Sequence, residues 1–578
     1  MKRKNIAIIA FLWCLGTSLS SFGQSMPYMA DKGKGMQLYV NDKPFILFSG
    51  ELHNSTSTSE NYMKEIDVWE QIRRGNFNSV IASCSWDVIE KEEGKYDFAS
   101  VDHLIRNARE NGIKLVLIWF GSWKNGNSTY APGYMKRNPG KYPLVKNQEG
   151  KYLDVLSTFG KASMQADSKA FAALMRHIRE VDYDHTVVMI QAENEIGILG
   201  SVRDFSEPAQ KAWKGQVPSD LIDYLTAHQG HLYPELERVW KENGYKKIGT
   251  WEDVFGKSTT EDSGLQCFPY YTEEIFQAYH YAKYVEEVVK AGRKELNLPV
   301  FVNNWLRQPG MAVPGTFPSG SPLPEVLDVW RAAAPSVDFI APDIYIDQFD
   351  WVLSEFSRSG NPIFIPECRG DVSKALYAYG EYDAFGFAPF GFDGPQRGGF
   401  GVSEEEFENI SQSYSILSGM GEMLSMNHAS DHMRGLLVTE DDPNPSVEMG
   451  DYILTATSSV RNRRAFNYGQ GAENMAQENA VLASMSRQNA PSGALIIQTS
   501  RDEFYIVGIN VSFRFSMKDP KAGGSAKTDL IEEGTFKDGK WLPGRSLNGD
   551  ENRVSILGVG AERVTLYHSP VEPQPARW

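Results

Sequence analysis

Short apolar runs alternate with amphipathic stretches between residues 45 and 420. Eight runs have the length and the β-branched or aromatic content of buried strands, and they lie at 45–48, 79–82, 114–119, 186–191, 300–302, 339–341, 363–365 and 384–389. Between them apolar residues recur every three or four positions, as in Val101, Leu104, Ile105 and Ala108, which predicts helices. This alternation predicts an α/β fold, a (β/α)8 TIM barrel; an open doubly wound sheet is the second interpretation.

The pattern changes after residue 425, where helical periodicity ends and short strand-like runs follow at 436–439, 452–457, 494–499, 504–509, 528–531 and 564–567. We therefore predict a catalytic barrel over 24–425 and a C-terminal β-sandwich domain over 426–578. The connection between strands four and five, residues 192–299, is longer than one helix requires. Its aromatic residues either line the mouth of a site or pack an inserted subdomain.

The first 23 residues have the features of a signal peptide. Three cations, Lys2, Arg3 and Lys4, precede an apolar run over 6–15, and small residues follow before Gln24. We therefore expect export to the periplasm or secretion. No later run approaches the roughly 20 apolar residues of a membrane helix, so we expect no membrane span after the signal is removed.

Composition narrows the class of partner. The chain is 41% apolar and 23% charged, the balance of a globular protein with a large core, and its net charge of −16 disfavours nucleic acid. A glycine-rich phosphate loop, a G-x-S-x-G elbow and an H-E-x-x-H zinc helix are all missing from the sequence. We therefore predict no organic cofactor and no metal. The sequence leaves the oligomeric state open.

Catalytic groups of a TIM barrel follow the carboxyl ends of its strands. The polar and aromatic residues at these positions are Glu51, His53, Trp86, Trp123, Asn194, Glu195, Asn304, Trp305, Tyr345 and Glu367. Aromatic rings stack on the apolar face of a sugar, amides and acids bond its hydroxyl groups, and two carboxylic groups break a glycosidic bond. This inventory predicts a carbohydrate substrate.

Three sequence motifs resemble those of one known family. The sequence QAENEIG at 191–197 resembles the Q-x-E-N-E-Y-G of glycoside hydrolase family 35, the β-galactosidases of the retaining clan A. SGELH at 49–53 resembles the S-G-x-x-H of that family, and WDVIEKEEGKYDF at 86–98 resembles its W-N-x-H-E-P-x-x-G-x-x-x-F. The whole layout resembles a bacterial branch of the family that carries a C-terminal domain of uncharacterised function.

The resemblance implies roles for four residues. Glu195 would be the general acid/base, Glu367 the nucleophile, Asn194 the partner of the sugar 2-hydroxyl, and Tyr345 the residue that holds the Glu367 carboxylate. Together they imply a retaining, exo-acting β-galactosidase. The remaining strand-end residues are predicted to contact substrate: Glu51, His53, Trp86, Trp123, Asn304 and Trp305.

The sequence also departs from the family. The family's R-P-G-P-Y-I-C-A-E-W after strand three is missing, and residues 119–125 stand in its place, so the groups that grip galactose do not carry over. Alternatives therefore remain: another terminal sugar, such as arabinopyranose, glucosamine or glucuronic acid, or a noncatalytic carbohydrate-binding protein. Strand periodicity further predicts that Glu193 points to the same side as Glu195, in a supporting role.

Overall fold

The computed structural model describes residues 25–258, 271–308, 310–311, 313–394, 401–462, 490–519 and 524–570. The predicted signal peptide lies outside these residues. Export therefore stays a prediction.

The barrel has eight parallel strands, which we number one to eight along the chain: Leu47–Glu51, Ser79–Ser85, Lys114–Lys124, Val187–Asn194, Val300–Trp305, Phe339–Asp343, Phe364–Cys368 and Gly386–Pro389. Their order in the sheet is six, five, four, three, two, one, eight, seven. A parallel bridge between Ile344 and Cys368 joins the two end strands. The predicted α/β barrel is therefore confirmed, and each of the eight predicted runs overlaps one of its strands.

Helices surround the strands, because each connection must return to the same end of the sheet. The barrel part contains Glu60–Glu65, Val68–Arg74, Trp86–Ile89, Ala99–Glu110, Gly133–Lys136, Lys161–Val181, Leu327–Ala333, Phe349–Phe356, Val372–Glu381, Glu404–Met420 and Glu422–Asn427. Short 3-10 turns lie at Thr56–Thr58, Pro324–Val326 and Arg358–Gly360. A hairpin of Leu144–Lys146 and Tyr152–Leu156 follows strand three.

Aromatic side chains fill the inside of the barrel. Phe301 and Phe339 stack with their centroids 5.0 Å apart, and Phe364 and Phe385 stack at 5.3 Å. An N-terminal sheet of Tyr28–Lys32, Gly35–Val40 and Lys43–Pro44 contributes Leu38 and Val40 to the same cluster. The lower barrel is thus a packed core, and in this fold the functional groups lie at the carboxyl ends of the strands.

The long connection after strand four is an inserted helical subdomain. Its helices are Glu207–Trp213, Ser219–Ala227, Pro234–Glu242 and Trp251–Phe255, followed by the crossover helix Tyr271–Arg293. Trp213, Trp240 and Trp251 are all buried in the main core. Of the two interpretations of the aromatic residues, packing therefore applies to these three.

The C-terminal part forms one antiparallel sheet of eight strands: Met433–Leu437, Ser446–Met449, Tyr452–Ser458, Gly493–Ser500, Glu503–Met517, Ser525–Lys537, Lys540–Ser546 and Ser555–Ser569. The long strand Glu503–Met517 pairs with Gly493–Ser500 through its first half and with Tyr452–Ser458 through its second. Short helical segments lie at Ser459–Asn462 and Gly549–Glu551. The predicted C-terminal domain of strands is present, and its described strands, for which a β-sandwich was predicted, are hydrogen-bonded into one antiparallel sheet.

Candidate active site

Four carboxyl groups and one ammonium group meet at the carboxyl ends of the barrel strands. Glu51 ends strand one, Lys124 ends strand three, Glu195 follows strand four, Asp343 ends strand six and Glu367 is next to last in strand seven. All five residues are buried. The charge of Glu367 acts on Glu51, Glu195 and Asp343, so the carboxyl groups share one pocket although they are far apart in the chain.

An irregular end of strand four sets the direction of Glu195. Glu193 and Glu195 both have positive φ, 62° and 46°, a conformation that glutamate rarely adopts. The backbone N–H of Glu195 donates to Asn303 Oδ1 at 2.9 Å, and Asn303 Nδ2 donates to Asp343 Oδ2 at 2.7 Å. The structure therefore ties Glu195 to strands five and six.

The positive φ values also turn the side chain of Glu193 away from the pocket. Its Oε2 accepts from the backbone N–H of Trp123 at 2.7 Å, and its carboxyl bonds Asp167 on the helix Lys161–Val181. Asp167 in turn accepts from Trp119 Nε1 at 2.9 Å and from Ser122 Oγ at 2.5 Å. The prediction that Glu193 and Glu195 share a side is wrong, because strand alternation fails where φ becomes positive.

The pocket holds the Glu195 carboxyl in its protonated form near neutral pH. Burial and the charge of Glu367 raise the pKa of Glu195 to about 8, although Lys124 and a hydrogen bond from Asp343 oppose the shift. Burial also raises the pKa values of Glu51 and Asp343 well above the ordinary range. Protonated groups of this kind donate hydrogen bonds, which general acid catalysis requires.

Glu367 has a different environment. Tyr345 OH donates to Glu367 Oε1 at 2.8 Å, while Glu367 Oε2 is buried without a hydrogen-bond partner. Burial and the adjacent Glu367 charge raise the pKa of Tyr345, so the phenol keeps its proton. Arg369 is exposed at the surface. Tyr345 is thus the donor that orients the Glu367 carboxylate and leaves its second oxygen available.

Several buried polar atoms of the pocket lack a partner within the described residues. They are Glu51 Oε1, Asn194 Nδ2, Asp343 Oδ1 and Glu367 Oε2. Such atoms are costly unless a ligand satisfies them. A set that contains amide and carboxyl groups matches the hydroxyl groups of a sugar.

The structure places the other predicted site residues as follows. His53 lies by the mouth, where its Nδ1 is 2.6 Å from Asp393 Oδ1 in the segment after strand eight. Trp305 and Tyr345 are partly exposed at the strand ends. Asn304 is fully buried, and its Nδ2 donates to Pro322 O at 3.1 Å. The adjacent residue Asn303 therefore faces the pocket, and Asn304 faces away from it.

Two predicted aromatic contacts lie in the core. Trp86 is fully buried and its Nε1 donates to Glu90 Oε2 at 2.7 Å. Trp123 is also fully buried, its Nε1 donates to Leu156 O at 3.1 Å, and its ring packs edge-on against Tyr284. Neither side chain exposes surface to a ligand, which favours packing over the predicted contact with substrate.

Residue spacing did not single out two pocket residues. Lys124 and Asn303 both lie in the last part of a strand, but a lysine or an amide there is an ordinary surface residue in most sequences. The sequence feature that could have pointed to Lys124 is the segment 119–125, which replaces the usual family motif. Among the described residues no group of three or more His, Cys, Asp or Glu is placed to hold a metal ion, and none of the described helices is long and apolar enough to span a bilayer.

Two family models match parts of this chain. Residues 37–241 match the sequence model described as Glycosyl hydrolases family 35, and residues 410–557 match Domain of unknown function (DUF5597). The first match includes Glu195 and ends before Glu367.

Two curated relatives are also similar to this chain. Beta-galactosidase 14 of Arabidopsis thaliana is 24% identical over 262 residues, which are 41% of this chain and 29% of that protein. Beta-galactosidase 13 of the same plant is 22% identical over 291 residues, 44% of this chain and 33% of that protein. The chain thus spans about a third of the length of these relatives.

Two solved structures are similar at low identity. A beta-galactosidase from the psychrophilic Marinomonas ef1 has a TM-score of 0.44 at 12% identity and covers 65% of this chain and 61% of that one. A catalytic mutant of a GH42 beta-galactosidase from G. stearothermophilus has a TM-score of 0.46 at 11% identity and covers 91% and 98%. The barrel fold itself is established by the strand order given above.

The parallel barrel and the carboxyl groups at its mouth agree with the match of residues 37–241 to the model of glycosyl hydrolases family 35. The chain is thus similar to this family over residues 37–241, and over residues 410–557 it matches a domain of unknown function. The resemblance inferred from the three sequence motifs is therefore confirmed.

Proposed function

We propose that this chain removes terminal β-galactosyl units from glycans by double displacement, with Glu195 as general acid/base and Glu367 as nucleophile. The main support is that the two glutamates share one pocket in opposite environments. Burial raises the pKa of Glu195 to about 8, whereas Tyr345 OH holds Oε1 of Glu367 at 2.8 Å. A retaining glycosidase needs one carboxylic acid and one carboxylate. The family match and the names of the relatives support galactose.

In the first step, Glu367 Oε2 attacks the anomeric carbon. The bond from the anomeric carbon to the leaving oxygen breaks, and that oxygen takes the Glu195 proton. In the second step, the ionised Glu195 takes a proton from a water molecule, whose oxygen attacks the same carbon and releases Glu367. Two inversions return the β configuration, and no oxidant or metal is required for the balance.

The direct test uses Glu195→Gln and Glu367→Gln. Each should lower turnover of an aryl β-galactoside by roughly 10²-fold or more, because a general acid or a nucleophile is lost. Glu149→Gln, an exposed glutamate outside the pocket, is the matched control and should retain full activity. Full activity of either pocket variant would contradict its assigned role.

Product analysis tests the stereochemistry. Proton NMR should show the β anomer first, and an α anomer would exclude double displacement. A panel of aryl β-galactoside, α-arabinopyranoside, β-glucosaminide and β-glucuronide tests the sugar. Cleavage of none of them, combined with sugar binding, would favour a noncatalytic carbohydrate-binding protein.

We also propose that the protein is exported. The cationic and apolar order of residues 2–15 supports this proposal. Expression in a Gram-negative host should give a mature protein that begins at Gln24 in the periplasmic or secreted fraction. An unprocessed protein in the cytoplasm would contradict it.

A further inference from the structure

Lys124 lies in the pocket because strand three is irregular. Trp119 pairs with Ala192 and Lys124 pairs with Asn194, so the four residues between them on strand three bulge against strand four. This bulge lies within the segment that replaces the usual family motif. The side chain of Lys124 is buried, and its ammonium group lies 4.8 Å from the centroid of the Phe120 ring.

The ammonium group determines the orientation of the Asn194 amide. Lys124 Nζ donates to Asn194 Oδ1 at 2.7 Å. Because an ammonium group has donors only, the amide oxygen must face Lys124 and the NH2 group must face the other way. Asn194 Nδ2 is buried without a partner. The pocket therefore presents an amide donor, and not an amide acceptor, to a ligand.

We propose that Lys124 is a positioning residue that fixes the Asn194 amide, so that the pocket accepts a hydroxyl group and rejects an ammonium group at the sugar position facing Asn194. The proposal rests on the proposed function and on the family resemblance, which implies that Asn194 faces the 2-hydroxyl and hence that this position is C2.

The chemistry of the two C2 groups explains the selection. A hydroxyl oxygen has two lone pairs that accept from Asn194 Nδ2, whereas a protonated amine has none. The charge of Lys124 also repels a second cation, and within a buried pocket this repulsion is stronger than in water. Sugars with a free 2-amino group, glucosamine among them, are therefore disfavoured, and 2-hydroxy sugars are accepted.

A double-mutant cycle tests whether Lys124 acts through Asn194. We compare kcat/KM for an aryl β-galactoside and its 2-deoxy analogue in the wild type, Lys124→Met, Asn194→Ala and the double variant. In both single variants the preference for the 2-hydroxyl substrate should fall at least about tenfold, the size of a lost hydrogen bond of this kind. The double variant should show no further fall, because the two residues act as one unit.

Controls separate positioning from a general loss of structure. Lys114→Met removes a lysine at the opposite end of the same strand, where Lys114 Nζ donates to His185 O at 2.7 Å, and should leave the preference unchanged. Lys124→Arg keeps the charge and a donor and should keep part of the preference. Equal losses on both substrates in Lys124→Met would overturn the proposal.

A pH profile provides a readout that a purely structural lysine would not change. The groups that act on Glu195 are Glu367, Lys124 and Asp343, and Glu195 in turn acts on Glu51. Lys124 lowers the pKa of Glu195, so Lys124→Met should move the alkaline limb of kcat/KM to higher pH. An unchanged limb would contradict the proposal.

Binding measurements distinguish this proposal from the proposed function. Calorimetric titration of the wild-type chain with galactose, 2-deoxygalactose and galactosamine should rank galactose first and galactosamine last. In Lys124→Met the gap between galactose and galactosamine should narrow. A wild type that neither binds nor cleaves a sugar would overturn the proposed function, whereas an active wild type that binds galactosamine as well as galactose would overturn this inference alone.

Discussion

At the scale of single residues, the Glu195 proton is the feature on which the proposed chemistry depends. Burial and the Glu367 charge raise the pKa of Glu195 to about 8. The acid is therefore protonated below that pH and ionised above it. We expect kcat/KM on an aryl β-galactoside with a poor leaving group to fall tenfold per pH unit above about pH 8. A pH profile checks this, and a fall that begins near pH 5 would contradict it.

The same shift has a consequence for stability. A carboxyl whose pKa is raised in the folded state stabilises the fold below its unfolded pKa of 4.5, and this contribution is lost as the pH rises to about 8. Glutamine does not titrate. Glu195→Gln should therefore be more stable than the wild type at pH 8, by on the order of a few kcal/mol, and the gain should shrink toward pH 4.5.

Thermal melting of both proteins across this pH range measures the difference. Glu149→Gln, which is exposed, should show no pH-dependent gain. A gain in Glu195→Gln that is independent of pH would indicate that the stabilisation comes from packing and not from the proton.

At the scale of elements, the positions of all eight barrel strands could be predicted, because apolar runs of strand length are decided locally. The residues at which strands three and four end could not be predicted. Strand three extends to Lys124 and strand four to Asn194, since polar residues in them are paired by neighbouring strands that the local pattern does not show. Glu195 was predicted from a motif and Glu367 from its strand position. The direction of Glu193 was missed, because positive φ values are set by tertiary contacts.

The bulge of strand three depends on a glycine. A Cβ atom at Gly121 would lie 2.4 Å from Trp119 Nε1 and 2.7 Å from Glu193 Oε1, both of them buried. The methyl group added by Gly121→Ala should therefore clash with these side chains and displace the bulge that positions Lys124. We expect a loss of roughly 1 to 3 kcal/mol in stability and a fall in kcat/KM.

Gly140→Ala is the control for this prediction, because its nearest neighbour, Asn138 Oδ1, would be 3.9 Å away. Melting and kinetics of the two variants should differ clearly. If Gly121→Ala behaved like Gly140→Ala, the bulge would tolerate a methyl group and the tight approach of strands three and four would be refuted.

At the scale of the whole molecule, the barrel and the C-terminal sheet share one core. Leu495, Ile497 and Phe536 of the sheet belong to the same apolar cluster as the barrel helices. Arg434 binds Glu381 at the end of the helix Val372–Glu381 through two hydrogen bonds of 2.8 and 2.6 Å. That helix begins shortly after strand seven, which carries Glu367. The sheet therefore supports the helix next to the proposed nucleophile, and we expect the chain to unfold in a single transition.

Gly380 provides the test of this support. It lies in the helix Val372–Glu381, and a Cβ atom there would be 2.6 Å from Arg434 O and 2.8 Å from the Gly435 Cα. Replacing glycine by alanine inside a helix gains about 1 kcal/mol in propensity, but a clash with backbone costs roughly 1 to 3 kcal/mol, so the clash should prevail. Gly380→Ala should therefore lower both the melting temperature and kcat, since the helix shifts with the end of strand seven. Gly35→Ala, whose Cβ would meet nothing within 4 Å, should lower neither. A stable Gly380→Ala variant, or calorimetry that resolves two separate transitions, would show that the sheet is attached to the barrel without supporting it.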